Sequence, residues 1–196
     1  MSPAIATLPG YVGFKMLVFA LLACNAAIFS FFGTFSETLD AAAWLVLLAL
    51  FELETGHAEQ LRGKHVVAAV HGIRLAAAAA IGAAAVGYVY EKAWLDAINS
   101  WLWIAVVVLL ELEIRCFRAV ERHRAGFTVV AATLYFGLAS LVLVWAWRLE
   151  WFEAYDALLW LIAFATIEIN VLQIFRKAGA ADTARPGPRS LSDMGH

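Results

Sequence analysis

The strongest constraint on this chain is that its sequence divides into six long apolar stretches. They lie at about 14–35, 40–55, 66–90, 97–117, 127–148 and 155–175. At a rise of 1.5 Å per residue, a helix of about 20 residues spans the roughly 30 Å hydrocarbon core of a bilayer. The chain is also 63% hydrophobic and only 15% charged, which is far more apolar than soluble domains are. We therefore predict an all-α, polytopic membrane bundle of six transmembrane helices in contact with the lipid bilayer.

The two ends of the chain are predicted to differ. We interpret the apolar run after Lys15 as the first membrane helix rather than as a cleaved secretory signal. Hydrophobicity ends after Arg176, and the remaining residues include Pro, Gly and Ser, a composition typical of segments without a packed core. We predict a six-helix transmembrane domain over 1–177 and a polar cytoplasmic tail over 178–196.

The distribution of Lys and Arg predicts the orientation in the membrane. Six crossings place both termini on one face, which carries eleven basic residues against two on the opposite face. Basic residues in short loops are retained in the cytoplasm. We therefore predict a multi-pass protein of a bacterial-type inner (cell) membrane with both termini cytoplasmic. The formal net charge of −2 and the scattered basic residues provide no surface for nucleic acid.

One pattern of residues occurs three times along the chain. Each copy runs from an aromatic residue through acidic or amide residues to a Trp, and then to a Glu followed two residues later by Glu or Asn. The aligned tryptophans are Trp44, Trp103 and Trp160, at offsets of 59 and 57 residues. An offset of this length corresponds to one helical hairpin with its loops, so the copies have the same orientation. We predict three parallel two-helix repeats around a pseudo-threefold axis. They cover about 11–62, 70–121 and 126–177.

The third apolar stretch is rich in Ala and Gly from Ala76 to Gly87. Small residues allow the backbones of neighbouring helices to approach closely in lipid. We therefore expect the third helix to lie inside the bundle rather than on its rim.

A polar set recurs at the first turns of the second, fourth and sixth helices. This first-turn set is Glu37, Asp40, Asp96, Asn99, Glu153 and Asp156. Acidic side chains at a helix N-terminus are stabilised by the helix dipole, and short polar side chains cap the helix. We interpret the set as residues that begin these helices at the water interface, and the aligned tryptophans as packing residues.

A second polar set recurs near the ends of the same three helices. This last-turn set is Glu52, Glu54, Glu111, Glu113, Glu168 and Asn170. Ionisable groups at membrane depth are costly, about 2.5 to 3.5 kcal/mol at the centre of a helix, and they usually face a bundle interior. Two residues apart, the members of each pair point about 200° apart. We expect one member to face the hairpin partner and the other to face the neighbouring repeat.

Basic residues accompany the last-turn set in the first two repeats. Lys15 and Arg74 begin the first and third helices, whereas the third repeat lacks such a base and has Asn170 in place of the second Glu. This co-occurrence predicts structural ion pairs that hold each of the first two hairpins, with Arg115 available for a further glutamate. Five glutamates against three bases leave carboxylates in excess. A bound cation or a proton is the alternative partner for that excess.

The sequence shows no motif for the chemistry of soluble enzymes. It contains no Gly-rich phosphate loop, Cys-x-x-Cys pair or nucleophile elbow. Glu54 and His57 have the Glu-x-x-His spacing of di-iron bundles, but a di-metal site needs a second such motif. We predict no cofactor and expect no enzyme activity, and the sequence leaves any metal unknown.

Two functions remain open at this point. The leading hypothesis is a cation or proton channel or transporter that uses the last-turn set. The alternative is a non-catalytic membrane subunit or assembly factor of a larger complex, in which the same glutamates form structural ion pairs. Other membrane subunits or further copies of the chain are the predicted protein partners.

Overall fold

The computed structural model of the protein describes residues 9–56, 63–116, 120 and 122–166. Within these ranges the chain forms six long helices, which confirms the predicted all-α architecture. The helices are α1 (Pro9–Phe32), α2 (Phe35–Gly56), α3 (Lys64–Glu91), α4 (Trp94–Arg115), α5 (Arg124–Trp147) and α6, described over 151–166. The helices α2, α4 and α6 begin three to five residues before the apolar stretches, because their polar first turns are helical too. The predicted tail, 178–196, lies outside the described residues.

Among the described residues, four helices are long and apolar enough to cross a membrane. These segments are Gly13–Phe32, His65–Glu91, Trp94–Glu113 and Arg124–Trp147. Large apolar side chains cover the surface of the bundle: Phe32 is 87% exposed, Phe136 75% and Leu75 71%. Contiguous apolar surface of this kind is unfavourable in water and is suited to contact with lipid. The protein is therefore a membrane protein.

Local sequence accounts for the short loops at one end of the bundle. Before α2, the Thr34 hydroxyl accepts a hydrogen bond from the backbone N–H of Glu37 (3.3 Å), and the Glu37 carboxylate accepts one from the N–H of Thr34 (2.6 Å). This reciprocal pair is a capping box. The helices α3 and α5 end alike, with Lys92 and Leu149 in the left-handed region at φ 61° and 63°. Backbone bonds to Tyr88 O and Trp145 O close these two ends in the same way.

Each odd-numbered helix packs between two even-numbered ones. Helix α3 contacts α2 and α4, and α1 contacts α2 as well as α6, through the rings of Phe29 and Phe152 at 5.1 Å. Helix α5 contacts α4 and also α6, where Trp145 packs with Ala154. The three aligned tryptophans meet in the main core. The first turns of α2, α4 and α6 consequently lie at the same end of the molecule.

The position predicted for α3 is wrong. Only 11% of the residues in its most apolar 18-residue stretch are buried, and Leu75 and Tyr90 project outward. Its small residues lie at the contacts with its two neighbours instead: Ala84 packs in one cluster with Ala97 of α4 and Leu39 of α2, and a Cβ at Gly87 would overlap the Ser36 hydroxyl on α2. Small residues therefore mark where two helices touch and do not show that a helix is surrounded.

Candidate functional site

All six residues of the first-turn set line one cavity. This acidic cavity has a volume of about 50 Å³ and lies where α2, α4 and α6 begin. Five carboxyl groups and the Asn99 amide thus come from three different helices. None of the described residues that line the cavity is Lys, Arg or His.

The spacing within each helix explains why these side chains converge. In α2, Glu37, Asp40 and Trp44 are at positions i, i+3 and i+7, which lie on one helix face. The aligned residues of α4 and α6 have the same spacing. Because the three tryptophans pack into the core, the acidic residues one and two turns earlier face the same axis.

The hydrogen-bond partners of the central carboxylates are neutral donors. The Trp44 indole N–H donates to Asp40 Oδ1 (3.1 Å), and the Tyr88 hydroxyl lies 3.5 Å from Asp40 Oδ2. On α6, Asp156 Oδ1 accepts a bond of 2.8 Å from the side-chain amide of Asn25, which is buried in α1. Neutral donors orient a carboxylate but leave its charge uncompensated. The cavity therefore concentrates negative charge.

Glu37 also caps its own helix through Thr34. The interpretation as a helix-starting residue therefore fits Glu37. It does not account for Asp40 and Asp156, whose partners lie on other helices as well as their own. The i, i+3, i+7 spacing places these residues on the tryptophan-bearing face of each helix, but it does not specify that the three faces meet.

Two buried polar atoms beside the cavity have no hydrogen-bond partner among the described residues. They are Asn99 Oδ1 and Ser100 Oγ, both on α4. Asn99 lines the cavity, and Ser100 is 1% exposed. Buried polar atoms are nearly always paired with protein or water, so this part of α4 has unused capacity for hydrogen bonds.

An aromatic layer lies beneath the carboxylates and consists of Trp44, Trp103, Trp160 and Phe164. The rings of Trp44 and Trp103 are 6.3 Å apart between centroids, those of Trp44 and Trp160 6.1 Å, and those of Trp103 and Phe164 4.5 Å. These separations are typical of packed aromatic pairs. The layer separates the acidic cavity from the aliphatic core around Leu48 and Val106.

At the opposite end of α2, the last-turn glutamates have basic partners. Lys15 Nζ lies 2.5 Å from Glu52 Oε1, and Arg74 is paired with Glu54. The two glutamates thus face different neighbours, α1 and α3, in agreement with their two-residue spacing. The predicted partner of Arg74 is wrong, however, because Arg74 pairs across to α2 rather than within the second hairpin. Sequence co-occurrence did not specify which neighbouring helix supplies the acid.

The rest of the last-turn set is not gathered around a described cavity. Glu111 and Glu113 are exposed near the end of α4. Glu168, Asn170, His57 and the side chain of Arg115 lie outside the described part of the chain. Among the described residues, no group of three or more His, Cys, Asp or Glu is arranged to hold a metal ion.

Comparisons with protein-family models, with curated proteins and with solved structures found no match.

Proposed function

We propose that this integral membrane protein is a cation or proton channel or transporter, with the acidic cavity as its binding site. The observation that carries the proposal is the convergence of five carboxyl groups from three helices on one small cavity whose described lining contains no basic residue. Like charges this close favour the uptake of a positive charge, either a proton or a cation. The last-turn glutamates provide a second acidic level on the same helices.

The proposal includes six membrane crossings, with α2 and α6 spanning in addition to the four apolar helices. In the orientation that the basic residues favour, both termini are cytoplasmic and the membrane is a bacterial-type inner membrane. The acidic cavity then lies toward the opposite face. Exposed aromatic residues at this end support an interfacial position: Tyr90, Trp94, Trp147 and Trp151. Such residues are enriched at the boundary between lipid and water.

We also propose that the six helices form three parallel two-helix repeats around a pseudo-threefold axis, as the sequence predicts. Two observations support it: the aligned tryptophans pack together, and the turns at Lys92 and Leu149, which are aligned positions, share the same backbone bonds. Three equivalent hairpins would present equivalent first turns to one axis. This arrangement explains why a single cavity draws on α2, α4 and α6.

Movement of an ion between the two acidic levels requires a conformational change. Asp40 and Glu52 are separated by twelve residues of α2, or about 18 Å along the helix. The aromatic layer and the aliphatic core fill the intervening space. The proposed protein is therefore gated: the aromatic layer separates when an ion passes and closes again afterwards.

A second candidate function is a structural subunit or assembly factor of a larger membrane complex. The ion pairs of Lys15 with Glu52 and of Arg74 with Glu54 favour it, because paired glutamates hold helices together without binding an ion. This alternative gives the acidic cavity no role in transport, and it predicts that the protein co-purifies with other chains.

Flux measurements on proteoliposomes distinguish the two functions. Purified full-length protein is reconstituted, and uptake of protons and of monovalent cations is followed with entrapped dyes. We expect flux above that of empty vesicles, and a reduction of about 10-fold or more when Asp40→Asn and Asp156→Asn are combined, because hydrogen-bonded charged groups contribute strongly. Glu150→Gln is the matched control, since Glu150 is an acid at the same end that pairs with Arg148 at the surface.

Flux equal to that of empty vesicles for every cation tested would contradict the transport proposal. Flux that is unchanged in the Asp40 and Asp156 double variant would remove the acidic cavity from the pathway. In either case co-purification of other chains would support the structural alternative.

A further inference from the structure

We infer that the loop between α1 and α2 lies below the lipid headgroups and contacts the acyl chains of the bilayer, whereas the two aligned loops stay at headgroup level. The first loop is 31–35, the second, between α3 and α4, is 90–94, and the third, between α5 and α6, is 147–151. The offsets of 59 and 57 residues that relate the tryptophans also relate these loops. This contact with lipid does not depend on whether the protein transports an ion.

Each of the three loops begins and ends with an exposed aromatic residue. Phe31 is 82% exposed, and the aligned Tyr90 and Trp147 are 83% and 89% exposed. The exposed residues that end the loops are Phe35, Trp94 and Trp151. Tyr and Trp carry a polar atom that suits the boundary between lipid and water, and Phe carries none. The aromatic residues of the first loop therefore suit the hydrocarbon, and those of the other two loops suit the interface.

The residues within the loops differ in charge in the same way. Phe32 occupies the position at which the second loop has Glu91 and the third has Arg148. Charged side chains are costly in the hydrocarbon, and the first loop has none. Phe32 is exposed one turn after Ile28, which is exposed as well. The apolar surface of α1 therefore continues to the end of the helix, further than the apolar surfaces of α3 and α5.

Polar groups of the first loop have partners within the protein, as immersion in lipid requires. The N–H of Gly33 and the hydroxyl of Thr38 both donate to Phe29 O, each at 2.9 Å. The capping box at the start of α2 pairs two further N–H groups. By contrast, among the described residues no side chain caps the start of α4, whose N-cap residue is Ala93. The first N–H groups of a helix without a side-chain cap rely on water, which is available at headgroup level.

The surface that adjoins the first loop favours acyl chains over a protein as the partner. Large apolar residues of α1, such as Leu17 and Ile28, are exposed along the segment that is suited to cross the membrane. The first loop thus continues a surface that already faces lipid. A tilt of the bundle toward the first repeat lowers this loop relative to the other two, and tilts of about 20° are common among membrane helices.

Fluorescence quenching at aligned positions tests the depth of the three loops. In full-length protein with Cys24 and Cys116 replaced by Ser, single cysteines are introduced as Phe31→Cys, Tyr90→Cys and Trp147→Cys. Each protein is labelled with bimane and reconstituted in phosphatidylcholine vesicles. Quenching by phosphatidylcholine brominated on its acyl chains is compared with quenching by iodide present on both sides of the membrane. We expect the ratio of lipid quenching to iodide quenching to be at least about 3-fold higher for Phe31→Cys than for either other position.

A second substitution tests whether the absence of charge sets the depth of the first loop. Phe32→Glu, added to the Phe31→Cys protein, introduces the acidic group that the second loop has at the aligned position. Because a carboxylate is costly in the hydrocarbon, the ratio should fall to that of Tyr90→Cys. Phe32→Leu is the matched control and should leave the ratio unchanged. The comparison of the three labelled positions does not depend on how the Phe32 variants fold.

Equal ratios at the three positions, or stronger quenching by iodide at Phe31→Cys than at the other two, would overturn the inference. Protection of the Phe31→Cys label from both quenchers would show that a protein surface covers the first loop, and this result would exclude acyl chains as its partner. An unchanged ratio after Phe32→Glu would contradict the part that the uncharged loop plays in setting the depth.

Discussion

Both ends of α2 carry acidic residues, but the residues at the two ends differ in the charge of the groups that they contact. At its last turns, Glu52 and Glu54 lie against Lys15 and Arg74. At its first turns, Asp40 accepts bonds only from neutral groups in the contacts described for it, and it shares a cavity with four other carboxyl groups. A paired carboxylate joins two helices, whereas several carboxylates without basic partners attract an ion. The chemistry of the partners, and not the presence of Glu or Asp, decides which role an acidic residue plays in a membrane.

The spacing along the helix produces this difference. Residues at i and i+2 point away from each other, so Glu52 and Glu54 reach different neighbours, α1 and α3. Residues at i and i+3 share a face, so Glu37 and Asp40 line one cavity. Substitutions at the two ends of α2 should therefore change different properties of the protein.

The largest effect should come from neutralising the cavity end. Combining Asp40→Asn with Asp156→Asn keeps the shapes and removes two charges, so cation affinity measured by calorimetry should fall about 10-fold or more. Thermal stability in detergent should not fall, because like-charge repulsion is relieved. Glu52→Gln, at the other end, should leave the affinity within about 2-fold. A comparable loss of affinity in Glu52→Gln would break the distinction between the ends.

The close contact of α2 with α3 should be the next most sensitive feature. Gly87→Ala places a methyl group against Ser36, which donates a bond of 2.6 Å to Glu91. We expect overpacking to lower the free energy of unfolding by about 1 to 3 kcal/mol. Because Tyr88 is adjacent and lies near Asp40, cation affinity should weaken as well. The control is Gly82→Ala, where a Cβ meets nothing within 4 Å; a similar loss in both variants would contradict the contact.

The ion-paired end should respond in stability rather than in binding. Lys15→Ala removes the ammonium group that contacts Glu52 in a partly buried position, where the Lys15 side chain is 15% exposed. We expect a loss of about 1 to 2 kcal/mol in thermal unfolding. Arg74→Ala should cost less than Lys15→Ala, because Glu54 lies in the last turn of α2 and both members of its pair are more than a third exposed. A larger loss for Arg74→Ala than for Lys15→Ala would reverse the expected order.

The sequence predicted the helices because their apolar runs are long and interrupted by short polar segments. It did not predict the position of α3, since Gly87 indicates a close contact without indicating its extent. A helix rich in small residues has the same composition whether one neighbour or several surround it. Only the packing of α2 and α4 against one face of α3 distinguishes these cases.

Prediction of the candidate site from the sequence has a similar limit. Each first-turn residue has a local explanation as a helix start, and the capping box of Thr34 and Glu37 bears out that explanation for Glu37. Whether Asp40 and Asp156 also face each other depends on how α2 and α6 are rotated about their axes, which no pattern within one helix specifies. The aligned tryptophans set that rotation in the structure, because Trp44 and Trp160 pack 6.1 Å apart between ring centroids.

The proposed binding site exists only if acidic residues of different helices share one cavity, and thiol bridging by a metal ion tests this directly. In a background where Cys24 and Cys116 are replaced by Ser, Asp40→Cys is combined with Asp156→Cys or, as the control, with Glu150→Cys. Each protein is treated with maleimide in the presence and absence of Cd²⁺, and the adducts are counted by intact mass. We predict that Cd²⁺ protects both thiols of the first pair and neither thiol of the control. Full maleimide labelling of the first pair in the presence of Cd²⁺ would contradict the shared cavity.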